Sequence, residues 1–305
     1  MRHAPPLTRR FWRFLFTCLL IWIFTLATAL PVFAFEQPEE LLIGIEPEHN
    51  IFDQMQRYRY LADYLSDQLG IKVKLTIMSR YGEVIKRFKT LRLQGAFLTS
   101  YTATMGIKEL QLEPLVNPVN LLGESKSQGF IFVRKDSDIR SMNDMRGGSI
   151  VFVDPASMEG YLFPLSFLQQ HGVKDINAYF SRYFFSGSHA SAVFAVLDGR
   201  ADIGSAKSTA YYQLIQNDPS IGPELEILAQ SPKVPEVTLC IKTEIAQDLR
   251  ERLAGVLLHM DQTPDGKKVL QQFKALRFVK SSKEDFTIIE KMAQEALGSL
   301  TVHGK

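Results

Sequence analysis

The chain has 305 residues, 46% of them hydrophobic and 22% charged, with a formal net charge of +2. That length accommodates two modest domains with buried cores, and the apolar content excludes a disordered chain. Arg2, Arg9, Arg10 and Arg13 lie together at the start, so the chain from Phe35 onward carries a formal −2, and nucleic-acid binding loses its electrostatic basis.

The first thirteen residues hold those arginines and no acid, and Phe14 to Phe35 carries no charge. A basic segment followed by an apolar run, with Pro31 ending the helix and Val32-Phe33-Ala34 at a cleavage position, makes residues 1–34 a signal peptide. Export to the periplasm follows. The run approaches bilayer-spanning length, so an uncleaved anchor over residues 14–35 in the inner membrane is the alternative. Cys18 begins the apolar run rather than following it, which argues against a lipoprotein site. Cys240 is then the single remaining cysteine, in the apolar stretch Val237 to Ile241, and reads as a buried, inert thiol.

Leu41 to Ile45 predicts a strand, and Glu46-Pro47-Glu48-His49-Asn50 a turn-rich loop. From Met55 the residues Tyr58, Leu61, Ala62, Leu65 and Leu69 recur at helical spacing until Gly70, and Ile71 to Ile77 is a second strand. Such a β-α-β unit builds parallel sheets. A helix over Tyr81 to Leu93 follows, then a short strand Gly95 to Leu98 that passes through Thr99-Ser100 into a helix opening near Tyr101. Leu115 to Leu122 and Gly129 to Val133 read as extended.

The stretch Val151 to Pro164, VFVDPASMEGYLFP, runs from a β-branched strand through Asp154-Pro155 into a helix. A junction of this kind points unpaired N–H groups and the positive end of a helix dipole at one place, which suits an anion. Read alone, such a junction is more often structural than a binding site, with Ser157 an N-cap and Glu159 a complement to the dipole. Tyr183 to Phe185 leads through Ser186-Gly187-Ser188-His189 into a helix with Val193, Phe194, Val196 and Leu197 as its apolar face. Ala201 to Gly204 is a strand before a helix from Lys207 to Ile215. Leu225 to Ala229 is extended. After Ser231-Pro232-Lys233-Val234-Pro235 comes the strand Glu236 to Ile241, and the C-terminal part is helical over Ala246 to His259, Pro264 to Phe273 and Lys283 to Leu297.

Two groups of alternating strands and helices therefore meet near Gly129, and the chain returns to the first group near Pro232 to Ile241. Two crossings make a hinge with a cleft between lobes. The expected fold is α/β and two-lobed, each lobe a mostly parallel sheet flanked by helices. Lobe 1 comprises residues 35–128 with 236–305, and lobe 2 residues 129–235.

The runs FVDPASMEGYLFP, FFSGSHASAVFAVLDGRADIG and GFIFVRKDSDIRSMNDMRG resemble, in order, the periplasmic binding proteins of phosphate, phosphite and phosphonate ABC transporters, over Leu41 to Leu297. The resemblance implies a binding protein rather than an enzyme, closing on a small ligand and delivering it to an ABC permease. It also implies that phosphonate oxygens sit on the turn after D-P-A-S and on a histidine of the second turn. Ser157 matches the first hydroxyl, Gly160 and Tyr161 the G-Y of the helix start, Ser186 and Gly187 the second turn, and His189 the histidine.

The chain departs from that pattern at Met158 and Glu159, where the family has hydroxyl residues, and at Ala190, where it has aspartate. The first-lobe turn reads Thr99-Ser100, with Tyr101 offset from the family tyrosine. A carboxylate about 4 Å from a phosphonate dianion repels it by several kcal/mol at an effective dielectric of about 20. The expectation is a retained scaffold with an altered phosphoryl site at Met158 and Glu159.

The ligand set expected on these grounds is Ser157, Glu159, Gly160, Tyr161, Ser186, Gly187, His189, Ser100 and Tyr101. Lys207 reads as a solvated lysine, with contact to an anion in the cleft as the alternative, and Glu46 and His49 as either site or solvated loop. No G-x-S-x-G, H-E-x-x-H, C-x-x-C or P-loop pattern is present, and the histidines lack metal-ligand spacing. No catalytic residue, cofactor or metal is expected. The expected protein is a monomer whose partners are a small molecule and an ABC permease. The alternative is a membrane-tethered ligand sensor acting on a kinase or cyclase.

Overall fold

The structure, a computed structural model, describes residues 40–47, 51–78 and 83–298. The segments expected as a signal peptide (1–34) or, alternatively, as an anchor (14–35), and His49, lie outside the described residues. Among the described residues no helix is long and apolar enough to cross a membrane.

The first lobe opens with β1 (Glu40–Ile45), α1 (Ile51–Leu69), β2 (Lys72–Ile77), α2 (Val84–Thr90), β3 (Gly95–Thr99), α3 (Ser100–Leu110) and β4 (Leu112–Asn120). After β5 (Lys126–Ser127) the second lobe follows with β6 (Gly129–Arg134), β7 (Ser149–Phe152), a π turn at Met158–Leu162, α4 (Phe163–Gln170), β8 (Arg182–Phe185), α5 (His189–Leu197), β9 (Ile203–Lys207), α6 (Ser208–Asn217) and β10 (Leu225–Gln230). The chain returns through β11 (Val234–Pro235) to β12 (Val237–Lys242), α7 (Gln247–Leu258), α8 (Pro264–Phe273), β13 (Ala275–Lys280) and α9 (Thr287–Leu297).

Two sheets result, ordered β13-β4-β12-β3-β1-β2 and β10-β6-β9-β7-β8. The expectation of mostly parallel sheets holds on one side of each. β1 pairs in parallel with β2 and β3, and β7 with β8 and β9, whereas β12, β4 and β13 on one sheet and β6 and β10 on the other pair antiparallel. β-α-β crossovers force parallel neighbours, but β12 comes back from the other lobe and enters its sheet from the opposite end.

The two crossings lie side by side. β5 and β11 form a two-stranded antiparallel ribbon, with Val234 opposite Ser127 and Pro235 opposite Lys126. Gly129 N donates to Ser231 Oγ at 2.8 Å and Ser231 N to Gly129 O at 2.9 Å, which ties the ribbon to the start of β6.

In the first lobe Leu41, Ile43 and Ile45 alternate onto Tyr58, Leu61 and Leu65 of α1, each buried side chain stabilising by about 1.5–3 kcal/mol relative to exposure. In the second, Val151 and Val153 face Val193 and Val196 of α5, while Ile150 and Phe152 face the opposite core. The apolar face of α5 is Ala192, Val193, Ala195 and Val196; Phe194, expected on it, is 41% exposed because it lies on the far side of the helix. α9 packs against both lobes, with Gln169 Nε2 donating to Ala296 O at 3.0 Å and Lys108 Nζ to Glu290 Oε1 at 3.0 Å. The C-terminal part also contains β13, an edge strand on β4 between α8 and α9. Cys240 is fully buried in β12, and burial, reinforced by the Glu46 carboxylate, raises its thiol pKa, so the cysteine is inert.

Candidate functional site

Parallel neighbours end at the same edge of a sheet, so the turns after β7, β8 and β9 assemble together. Ser186 N donates to Phe152 O and Gly187 N to Val153 O, both at 2.9 Å, which lays the turn after β8 against the end of β7. Gly187 has a φ of +77°, a left-handed conformation that favours glycine. Ser186 Oγ lies 2.9 Å from Ser188 O and 3.1 Å from Phe152 O, both backbone acceptors. Ser188 is the N-cap of α5, accepting from Ser191 N at 3.1 Å.

The turn after β7 is held by Asp154, whose Oδ1 accepts from Ala156 N at 2.8 Å. Ser157 caps the helix, its Oγ accepting from Gly160 N at 3.0 Å, and Leu162 N reaches back to Ser157 O at 3.0 Å to make the first turn a π turn. Such turns recur at functional sites because they re-aim the side chains that follow. Gly160 is fixed by packing: a Cβ there would stand 2.4 Å from Val153 Cβ, and its carbonyl accepts from Ser205 Oγ at 2.7 Å. Its amide and carbonyl both serve the fold.

His189 begins α5 and is buried, with Nδ1 accepting from Lys207 N at 3.0 Å. A nitrogen that accepts carries no proton, so the neutral ring is protonated at Nε2, which makes that atom a donor suited to an oxyanion. Lys207, read as solvated, is buried: β9 continues through it, and its Nζ lies 3.2 Å from Glu236 Oε1 at the hinge. Thr209 Oγ1 donates to the same Oε1 at 2.8 Å.

Glu159, only 3% exposed, turns to the hinge rather than outward, its Oε1 accepting from Ser127 Oγ at 2.7 Å. Met158 is buried in the core. The Glu159 carboxylate is thereby tied to Ser127 of the β5 crossing.

On the first lobe the ends of β1 and β3 adjoin. The buried Glu46 carboxylate accepts from Thr99 N at 2.8 Å, from Thr99 Oγ1 at 3.0 Å and from Thr102 Oγ1, at the N-terminus of α3. Ser100 Oγ, fully buried beside it, has no hydrogen-bond partner among the described residues. Tyr101 is buried, and desolvation, with smaller contributions from Glu109 and Tyr161, pushes its pKa up to about 12. Tyr161 packs at 5.2 Å on Phe152 and 5.3 Å on Phe185, and burial raises its pKa too.

The Tyr101 hydroxyl holds its proton more tightly in the folded chain, so its contribution to stability is whole below pH 10 and is lost as the pH rises toward 12. Urea denaturation at about pH 9 and about pH 11.5 should show a smaller loss for Tyr101→Phe than for wild type; equal losses would contradict it.

The structure thus gathers Ser157, Gly160, Tyr161, Ser186, Gly187 and His189 at one edge, sets Ser100 and Tyr101 at the corresponding edge of the first sheet, and directs Glu159 to the hinge. Sequence reasoning undervalued Glu46 and Lys207 and omitted Glu236 and Ser127. The spacing Thr99-x-x-Thr102 at a helix start, two hydroxyls able to meet one carboxylate, was the available signal for Glu46. Among the described residues no group of histidine, cysteine and acid side chains could hold a metal ion.

The sequence model of the family described as "ABC transporter, phosphonate, periplasmic substrate-binding protein" matches residues 43–286. A probable ABC transporter phosphite binding protein, PhnD1, of Prochlorococcus marinus is 22% identical over 272 residues, 86% of this chain and 91% of the relative. The phosphate-import protein PhnD of Mycolicibacterium smegmatis is 28% identical over 233 residues, 69% of this chain and 72% of the relative. The crystal structure of the Prochlorococcus PhnD1 with methylphosphonate superposes with a TM-score of 0.71 at 21% identity, covering 85% of this chain and 98% of that one, and so shares its two-lobed fold.

Proposed function

Because the chain belongs to the family of periplasmic substrate-binding proteins of phosphonate ABC transporters, we propose that it captures a small phosphonate- or phosphate-like oxyanion between its lobes and presents it to an ABC permease. The proposed lobes are residues 35–128 with 236–305, and 129–235, turning about the β5–β11 ribbon. The observation that carries the reading is His189, whose Nδ1 contact with Lys207 N leaves Nε2 as the donor at an edge shared with the Ser157 helix origin. The buried Ser100 hydroxyl offers a second donor from the opposite lobe.

The site differs from a hydroxyl-rich phosphoryl cradle. The Met158 side chain is core and the Glu159 carboxylate is bound to Ser127, so neither side chain supplies a donor, and each missing charge-assisted hydrogen bond weakens an oxyanion complex by about 1.5–3 kcal/mol. Glu46 already occupies the N-terminus of α3, the first-lobe place where a helix dipole would favour an anion. The ligand is therefore gripped chiefly by the second lobe. Homologues of this family are transport components rather than enzymes.

A thermal-shift series with methylphosphonate, phosphite and phosphate tests the reading, since a ligand held by the folded state alone raises the melting temperature. At least one of the three should do so at millimolar concentration, and titration calorimetry should give an affinity weaker than micromolar. No shift with any of them overturns the oxyanion reading; a submicromolar affinity overturns the altered-site part alone. The uncharged run 14–35 carries the second reading, a tethered sensory input to a kinase or cyclase. Phe35 as the first residue of the mature protein favours delivery to a permease, and a retained Met1 favours the tether.

A further inference from the structure

The junction between β9 and α6, Lys207-Ser208-Thr209, grips both crossings of the hinge. Lys207 lies opposite Gly129 in the β6–β9 ladder, where the second lobe begins. Ser208 N donates to Gln128 O at 2.8 Å, and its Oγ accepts from Gln128 N at 3.0 Å, which fixes the outbound crossing. Side chains fix the return crossing: Lys207 Nζ lies 3.2 Å from Glu236 Oε1, and Thr209 Oγ1 donates to the same oxygen at 2.8 Å. Glu236 N in turn donates to Ser125 O at 3.1 Å, so this carboxylate is anchored on the first-lobe side of both crossings.

The Lys207 side chain is 3% exposed and that of Glu236 17%. Charges held so far from water do not separate readily, because each would lose a buried countercharge. Turning the second lobe about the ribbon therefore either carries the pair along or displaces Lys207. The same residue seats the histidine of the oxyanion site: its backbone N–H donates to His189 Nδ1 at 3.0 Å and leaves the ring proton on Nε2. Ring and hinge are thus bonded to two ends of one buried residue, and a shift of its backbone re-aims Nε2.

We propose that Lys207 is a positioning residue that couples the hinge to the oxyanion site, its ammonium fixing the return crossing at Glu236 and its amide aiming the His189 ring. The contacts from Glu236 through Lys207 to His189 are contiguous, which is the physical path such coupling needs. The inference rests on the oxyanion reading of His189, and two of its three readouts need no ligand.

The test compares the mature protein with the double variant Lys207→Met/Glu236→Gln, which removes both charges together and keeps the Lys207 amide and an acceptor for Thr209. Spin labels at Gln56→Cys of α1 and Gln216→Cys of α6, both exposed, report the distance between lobes, with the buried Cys240 left unlabelled. Without ligand, the double variant should broaden that distance distribution and shift the His189 ring nitrogen resonances. With whichever of methylphosphonate, phosphite or phosphate raises the melting temperature, its affinity should fall tenfold or more. Thr209→Val, which loosens the same carboxylate without removing a charge, should move all three readouts in the same direction by less, and serves if the double variant folds poorly. A broader distribution with unmoved His189 resonances would overturn the coupling, an unchanged distribution would overturn the hinge role, and undiminished affinity would overturn the bearing on binding. If none of the three oxyanions binds, the oxyanion reading fails, while the two ligand-free readouts still decide the coupling.

Discussion

Glu46→Ala should lower the stability of the folded chain by about 3 kcal/mol or more. The wild-type carboxylate is buried and accepts from the Thr99 amide and from the hydroxyls of Thr99 and Thr102. Truncation removes a charged acceptor and leaves the Thr99 amide, at the N-terminus of α3, buried without it, and an abandoned donor costs its full desolvation in addition to the lost bond. Glu46→Gln keeps one acceptor oxygen and should lose about half as much. Urea denaturation at neutral pH measures both; a Glu46→Ala change within about 0.5 kcal/mol of wild type would contradict the reading of this carboxylate as the cap of α3.

His189→Asn should weaken oxyanion binding by roughly 10- to 150-fold while leaving the stability of the unliganded protein nearly unchanged. The separation arises because the two ring nitrogens do different work. Nδ1 accepts from Lys207 N, a role the asparagine oxygen can take over, whereas the Nε2 donor lies beyond the reach of the shorter side chain. His189→Ala removes both roles and should add a stability loss of about 1–3 kcal/mol from the orphaned Lys207 amide. Calorimetric titration beside thermal denaturation distinguishes the outcomes, and an asparagine variant that binds as tightly as wild type would remove His189 from the site.

Much of this architecture was legible in local sequence. The β-branched run into Asp154-Pro155-Ala156-Ser157 announced the junction after β7, and the apolar stripe from Pro264 to Phe273 announced α8, because caps and period are properties of neighbouring residues. β13 escaped because it is an edge strand: Leu276 and Arg277 face solvent and Lys280 ends it, so the run lacks the apolar density of β3 or β6. Glu159 and Lys207 escaped for a different reason. Their environments are set by the hinge crossings, Ser127 lying 32 positions before Glu159 and Glu236 meeting Lys207 across the return strand, and no local pattern encodes which residue a crossing will bring. The orientation of Glu159 therefore depends on topology, although its presence in the turn was plain from the sequence.

The most direct measurement is nitrogen-resolved NMR of the His189 imidazole, with and without whichever of methylphosphonate, phosphite or phosphate raises the melting temperature. The account requires a neutral ring protonated at Nε2 in the free protein, and an Nε2–H resonance that moves downfield as the oxyanion saturates the site. A ring protonated at Nδ1, or an Nε2–H signal indifferent to a bound oxyanion, would contradict it.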